Sequence, residues 1–180
     1  RVTTVYVDVE DRFRLSGETQ DGQVLVLWLT QRLLCRLVPH LVRWLDLRAP
    51  LQASSPAVAA AAQVMHAFAQ QSALARIGPQ EPVQAAQARA DWLVQKVDVS
   101  TAPQAVRLMF RPLGNSNETA GVTMEATHLR QWLGIVHGQW RQAGWPQEVW
   151  PQWMLETAPA PVAPGGSTVV SSTTVPSAVT

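Results

Sequence analysis

The chain has 180 residues, enough for one good core or two small ones, since domains commonly run about 100–150 residues. Charged residues make up 15% of it against a usual share of about 25%, which favours a partly covered subunit over a free monomer. A net charge of +1 gives no electrostatic case for nucleic acid or an anionic membrane, and the single cysteine, Cys35, excludes an intrachain disulfide and fits a reducing, cytoplasmic setting.

In chain order, Val5, Val7 and Val9 alternate with Thr4, Tyr6 and Asp8, the period of a half-buried strand. Glu10-Asp11 is a polar corner, after which Phe13 and Leu15 alternate with Arg12, Arg14 and Ser16. Asp21-Gly22 is a hairpin signal, because both residues tolerate positive φ. Gln23 to Leu29 is the third strand and Thr30 caps a helix that follows. On that helix Leu33, Leu34, Leu37, Leu41, Trp44 and Leu45 share one face, with Arg32, Arg36 and Arg43 largely on the other. Pro39 falls inside it, which predicts a kink or two shorter helices. The run Val24 to Leu47 is the most apolar in the chain, but its three arginines and one aspartate exclude a membrane span. The first residues show no signal-peptide pattern.

After Arg48, the charged side chains up to residue 90 are Arg76, Glu81 and Arg89, in a stretch rich in Ala and Gln. Ser55-Pro56 starts a helix and Gly78-Pro79 stops it. Val58, Ala62, Met65, Ala69 and Ser72 form a small-residue stripe along it, and a short second helix is expected from Glu81 to Arg89. Residues 91–145 then repeat the first pattern: strands at Trp92–Val99, Ala105–Phe110 and Thr119–Ala126, then a helix capped by Thr127 and carrying Leu129, Leu133, Val136 and Trp140. The resulting expectation is an α+β protein of two β-β-β-α units, related by internal duplication and a pseudo-twofold. Its segments are residues 1–47, a helical insertion 48–90, residues 91–145, a Trp-rich segment 146–156, and a tail 157–180.

Five of the eight tryptophans lie between Trp132 and Trp153. Beyond Glu156 no residue is charged, and the sequence is Ala, Pro, Ser, Thr, Val and Gly. Such a tail buries too little apolar area to offset its ordering entropy alone, yet Thr168–Val170 and Thr173–Val175 have strand propensity and suit a neighbouring sheet edge.

Few residues are arranged for chemistry. Cys35 sits on or near the apolar helix face, and His40, His66, His128 and His137 lack close ligand spacing. Glu10-Asp11 reads as a solvated corner. There is no phosphate loop, G-x-G-x-x-G or G-x-S-x-G. No catalytic, cofactor or metal residue is therefore assigned. The expected contact residues are Trp145, Trp150, Trp153, Met154, Val169 and Val170. Tryptophan anchors interfaces because it buries a large area at little entropy cost, and Arg130 and Arg141 stand near for cation–π contacts. The expected function is that of a non-catalytic structural or adaptor subunit in an oligomeric protein assembly. The alternatives are a module binding a small molecule or glycan on its tryptophans, and an enzyme whose site forms between subunits.

Overall fold

The computed structural model describes residues 1–48, 55–114 and 118–155. Strands β1 (Val2–Val7), β2 (Arg12–Glu18) and β3 (Val24–Thr30) come first. Gly22, at φ 73°, makes the β2–β3 turn, a left-handed conformation that glycine adopts without steric cost. Thr30 ends β3 and caps α1 (Gln31–Asp46), its hydroxyl accepting from the Leu33 N–H at 3.2 Å. Pro39 lies inside α1 without splitting it into two helices. Its apolar face buries Leu34, Leu37, Val38, Leu41 and Leu45, each contributing about 1.5–3 kcal/mol.

Ser55 caps α2 (Pro56–Ala75) by accepting from the Val58 N–H. The expected helix at 81–89 is not formed. Pro79 and Pro82 interrupt the segment, which runs irregularly to a 3-10 turn at Ala85–Gln87 and then enters a strand. That strand, β4 (Ala88–Thr101), is longer than the alternation of Trp92–Val99 indicated, because its first residues pair with β3. β5 (Ala105–Pro112) and β6 (Ala120–Glu125) follow, then α3 (Ala126–Gln142) and the single turn α4 (Gln152–Leu155). Thr127 is not the cap of α3: that position is Glu125, and no side chain caps the helix.

The molecule is thus mixed α+β, with one six-stranded sheet in the order β1-β2-β3-β4-β5-β6. All neighbours are antiparallel except β3 and β4, which are parallel. The element order β-β-β-α occurs twice along the sheet. The last strand of the first unit pairs in parallel with the first strand of the second. The two units lie side by side, pointing the same way.

Laid flat, six strands would separate the edge strands by about 24 Å. Instead α3 packs against both β1 and β6, so the sheet curls around it. One core runs along the concave face, from Phe13, Leu15, Leu27 and Leu29 to Val106, Leu108 and Phe110, with α1 and α3 laid on it.

α2 packs on α3 through His66, Gln70 and Ala73 rather than the small-residue stripe. Gln70 donates to the Arg130 carbonyl at 2.9 Å and Gln131 to the Ala73 carbonyl at 3.0 Å. Gly134 permits this approach: a Cβ there would lie 2.5 Å from Leu74 Cδ2 and 3.1 Å from Gln70 Nε2.

Candidate functional site

The Trp-rich segment is interior, a correction to the expectation that it docks a partner. Trp145, Trp150, Trp153 and Met154 are 6%, 4%, 1% and 1% exposed. Trp145 stacks on Phe13 with centroids 4.9 Å apart and planes at 18°, and its indole N–H donates to Asp11 Oδ1 at 2.9 Å. Trp140 donates to the Pro146 carbonyl at 2.9 Å, while Trp150 meets it edge to face at 5.4 Å. The physical reason is that α3 leaves one end of the curled sheet uncovered. Pro146 and Pro151 turn the chain back, so these rings fill that end. Val169 and Val170 lie outside the described residues.

Trp153 belongs to a second buried cluster, which joins α1, α2, α3 and α4. It stacks on His66 at 5.1 Å, and the Arg130 guanidinium lies 5.1 Å from its ring centroid. Arg130 is 9% exposed and donates to His66 Nδ1 at 2.9 Å, which leaves the His66 Nε2–H directed at Asp46 Oδ1, 3.6 Å away. Burial first, and then the Arg130 charge, lower the His66 pKa, against an opposing pull from Asp46. The imidazole is accordingly held neutral, with a defined tautomer. Asp46, His66 and Arg130 resemble a relay in form, but among the described residues no hydroxyl or thiol nucleophile joins them. Their evident work is to bind four helices together.

The remaining sequence candidates are dispersed. His137 donates from Nε2 to Gln147 Oε1 at 3.1 Å, and burial lowers its pKa, opposed by that hydrogen bond. Burial raises the Cys35 thiol, with Glu148 adding to the effect, which is the reverse of an activated nucleophile. Asp11 is held in place, accepting from the Tyr6 hydroxyl at 3.0 Å as well as from Trp145. Among the described residues no three His, Cys, Asp or Glu side chains are grouped as metal ligands.

What the sequence reading missed is the opposite end of the curl. There the concave face is left open between β1 and β6, as a trough. One cleft of about 740 Å³ is lined by Thr3 and Thr4 of β1, Thr123 and Met124 of β6, and His128 and Trp132 of α3. A second, of about 310 Å³, continues over Leu25 and Leu27 towards Ala120 and Gly121. Leu15, Phe110 and Val122 line both, so the floor is apolar. Ionised groups stand at the mouth, where Arg1 donates to Glu18 at 2.7 Å and that bond holds the Glu18 carboxyl below its usual range.

Backbone phase shows what the two edges offer. The Glu18 N–H donates to the Arg1 carbonyl, so Arg1, Thr3 and Val5 bond to β2. Val2, Thr4 and Tyr6 therefore turn their N–H and C=O groups outwards. At Tyr6 the outward N–H is taken by Gln139 Oε1 at 2.7 Å. Across the trough, the Ala102 N–H donates to the Ala105 carbonyl. The same alternation turns Val106, Leu108 and Phe110 towards β6, where they face Met124, Val122 and Ala120. Gly121 and Thr123 are left with outward backbone groups. β1 and β6 also run in the same direction, as the chain of strand pairings requires. A strand entering between them is antiparallel to both or parallel to both, and one direction serves both ladders.

Nothing matches. Comparison with family models, with curated proteins and with solved structures finds no counterpart for this chain. Its chemistry must therefore be argued from the trough and its edges. Among the described residues, no helix is long and apolar enough to cross a membrane.

Proposed function

We propose that this protein is a non-catalytic adaptor or structural subunit that holds an extended peptide segment in the trough between β1 and β6. The supporting observation is the pair of outward-facing sheet edges, Val2 and Thr4 on one side, Gly121 and Thr123 on the other, flanking an apolar floor. Main-chain hydrogen bonds to an added strand supply affinity, and pockets for alternate side chains supply selectivity. Both edges satisfy the same incoming strand, which distinguishes this site from a single exposed edge. The low charge of the chain fits a subunit that is covered in use. The strand-prone pieces of the tail belong to the same scheme as contact segments within an assembly. We also take the repeated β-β-β-α order to reflect an internal duplication, and the cytoplasm to be the working compartment.

A second reading rests on the trough's size. Its larger cleft falls inside the range of about 300–1,000 Å³ usual for small-molecule sites, so an apolar ligand with one polar end is the alternative occupant.

The deciding experiment is to pan random decapeptides on the full chain carrying Val170→Pro and Thr173→Pro, which take the tail's strand-prone pieces out of competition. Sequences alternating apolar and polar residues are expected to enrich. Adding Thr123→Pro should weaken their binding at least about tenfold, equivalent to roughly 1.4 kcal/mol. The Thr123 N–H points away from β5, so proline there removes a donor for the guest and none for the host. Failure of any peptide to enrich, or binding indifferent to Thr123→Pro, would overturn the proposal.

A further inference from the structure

α2 has two apolar faces, and the fold buries one of them. His66, Gln70 and Ala73 pack towards α3. On the other side Val64 and Phe68 are 69% and 72% exposed, with Met65 beside them at 44%. We infer that this outer face pairs with the same face of a second copy of the chain, as an antiparallel two-helix seam about a twofold axis.

Spacing is the first observation. Ala57, Ala61, Val64, Phe68, Gln71 and Ala75 are all exposed and follow one another at intervals of four, three, four, three and four. That is the a/d spacing of a coiled coil, in which side chains line one side of a helix and insert between those of its partner. A helix that only covers its own core needs one apolar stripe and carries charge on its outer face. α2 has this second stripe instead, and no residue from Pro56 to Ala75 is charged. Val64 and Phe68 stand about 160° around the helix axis from His66 and Gln70, so the two stripes are nearly opposite.

Symmetry is the second observation, and it selects the occupant. The six positions are spaced evenly about residue 66. Reversing one copy therefore sets Val64 opposite Phe68 of the partner subunit, Ala61 opposite the partner subunit's Gln71, and Ala57 opposite the partner's Ala75. Each ring then meets a mid-sized side chain, and small residues at both ends let the backbones come close. A parallel pairing would set ring on ring and amide on amide, and would align the two helix dipoles that the antiparallel one opposes. A surface that maps onto itself by a twofold is what an isologous interface requires. Self-pairing also brings no like charges together along α2, and a net charge of +1 adds little repulsion at longer range.

Area is the third. α2 has 20 residues and is about 30 Å long. A third of its circumference over that length is about 500 Å² per chain, or about 1,000 Å² for the pair, which just reaches the size of a specific interface. The expected dimer is therefore of micromolar strength rather than permanent. No residue of Pro56–Ala75 lines either cleft of the trough, so pairing leaves both clefts open and the inference does not rest on the peptide reading. Arg76, just past α2, does line the trough, so an antiparallel pair sets the two troughs about 30 Å apart along the seam.

The test is sedimentation equilibrium on the full chain from about 1 to about 500 μM, the range over which such an interface dissociates. The average mass should rise from that of one chain to that of two and stop there. Phe68→Glu puts a carboxylate on each side of the seam's centre and should weaken association at least about tenfold. Its urea midpoint at low concentration should be unchanged, because the ring is mostly exposed in the single chain. Gln71→Leu replaces the polar residue of the seam and should tighten association about threefold or more. In a Cys35→Ala background, Ala57→Cys and Ala75→Cys chains mixed and oxidised should form the mixed disulfide, since residue 57 of one copy lies about 27 Å from residue 57 of the other. The mass of one chain at every concentration overturns the proposal. So does a dimer that Phe68→Glu leaves intact, which would assign another surface, or a homodisulfide of the Ala57→Cys chain, which would assign parallel helices. Growth past two chains overturns the closed twofold, and loss of stability in dilute Phe68→Glu would place the ring in the core. Thr123→Pro should leave the dimer unchanged, so failure of the seam and failure of the peptide reading are seen separately.

Discussion

The two ends of the curled sheet are built from the same strands and have opposite fates. At one end Phe13, Trp140, Trp145 and Trp150 fill the concave face, with edge-to-face and stacked contacts from 4.9 to 6.4 Å. At the other, Leu25, Leu27 and Val122 floor a trough that no helix of the described residues covers. The difference lies in where the chain returns. After α3 it doubles back over the first end, bringing its tryptophans, while among the described residues the second end receives the irregular segment after α2 along its rim. Apolar side chains there remain available, and apolar floor beside open backbone edges is what a guest strand requires.

The comparison breaks most visibly at Trp153. Its replacement by Ala should cost about 3–5 kcal/mol, read as a fall in the urea midpoint, because it empties a site shared by α2, α3 and α4. The same outcome is expected with Trp150→Ala added. A folded Trp150→Ala, Trp153→Ala chain of unchanged stability would restore the surface role that burial denies these rings. Next in size, Gly134→Ala should cost about 1–3 kcal/mol by urea denaturation, since the new methyl meets Leu74 and Gln70.

Acid should loosen the filled end first. His66 and His137 are both held below the ordinary histidine value, chiefly by burial. For a depressed histidine the folded state binds fewer protons than the unfolded state on the acid side. The stabilisation is complete above the unfolded value of about 6.5 and is lost as pH falls from there towards the folded value. The urea midpoint should therefore drop between pH 7.5 and 5, with a shallower slope in His137→Gln. A midpoint that rises on acidification would reverse the assignment of neutral rings.

Trp150→Phe sharpens the comparison within the cluster. The Trp150 indole nitrogen is buried without a hydrogen-bond partner among the described residues, whereas that of Trp140 is bonded to Pro146. Removing an unsatisfied donor recovers its desolvation cost of about 1–3 kcal/mol, which offsets the lost area. Trp150→Phe should therefore be milder than Trp140→Phe by calorimetry. Smallest of all, Leu25→Ala at the open end should cost about 1 kcal/mol or less, because that side chain is only partly buried, while reducing capture of an added peptide. A large loss of stability there would mean the trough is core.

Much of the fold was legible because it is local. The alternation at Phe13–Leu15, the glycine turn at Gly22, the caps at Thr30 and Ser55 and the apolar face of α1 each depend on neighbours within a few residues, whereas the alternation at Val5–Val9 misled: β1 ends at Val7, Thr4 and Tyr6 face the core, and Val9 is 90% exposed. The illegible parts depended on distance along the chain. Trp145 finds Phe13 and Asp11 more than a hundred residues away, and Arg130 finds His66 and Trp153 only once α2 and α4 have docked. Composition alone leaves a tryptophan cluster free to be surface or interior, since both bury apolar area.

The sequence by itself determined the order of the six strands and the three long helices, the inward faces of β2 and α1, and the uncharged character of the tail, because period, caps and composition act locally. Tertiary structure alone decided that β3 joins β4 in parallel, that the sheet curls until both edges meet α3, and that one end closes on tryptophan while the other stays open. Those outcomes follow from which apolar faces find each other across the folded chain, and no short window of residues contains both partners.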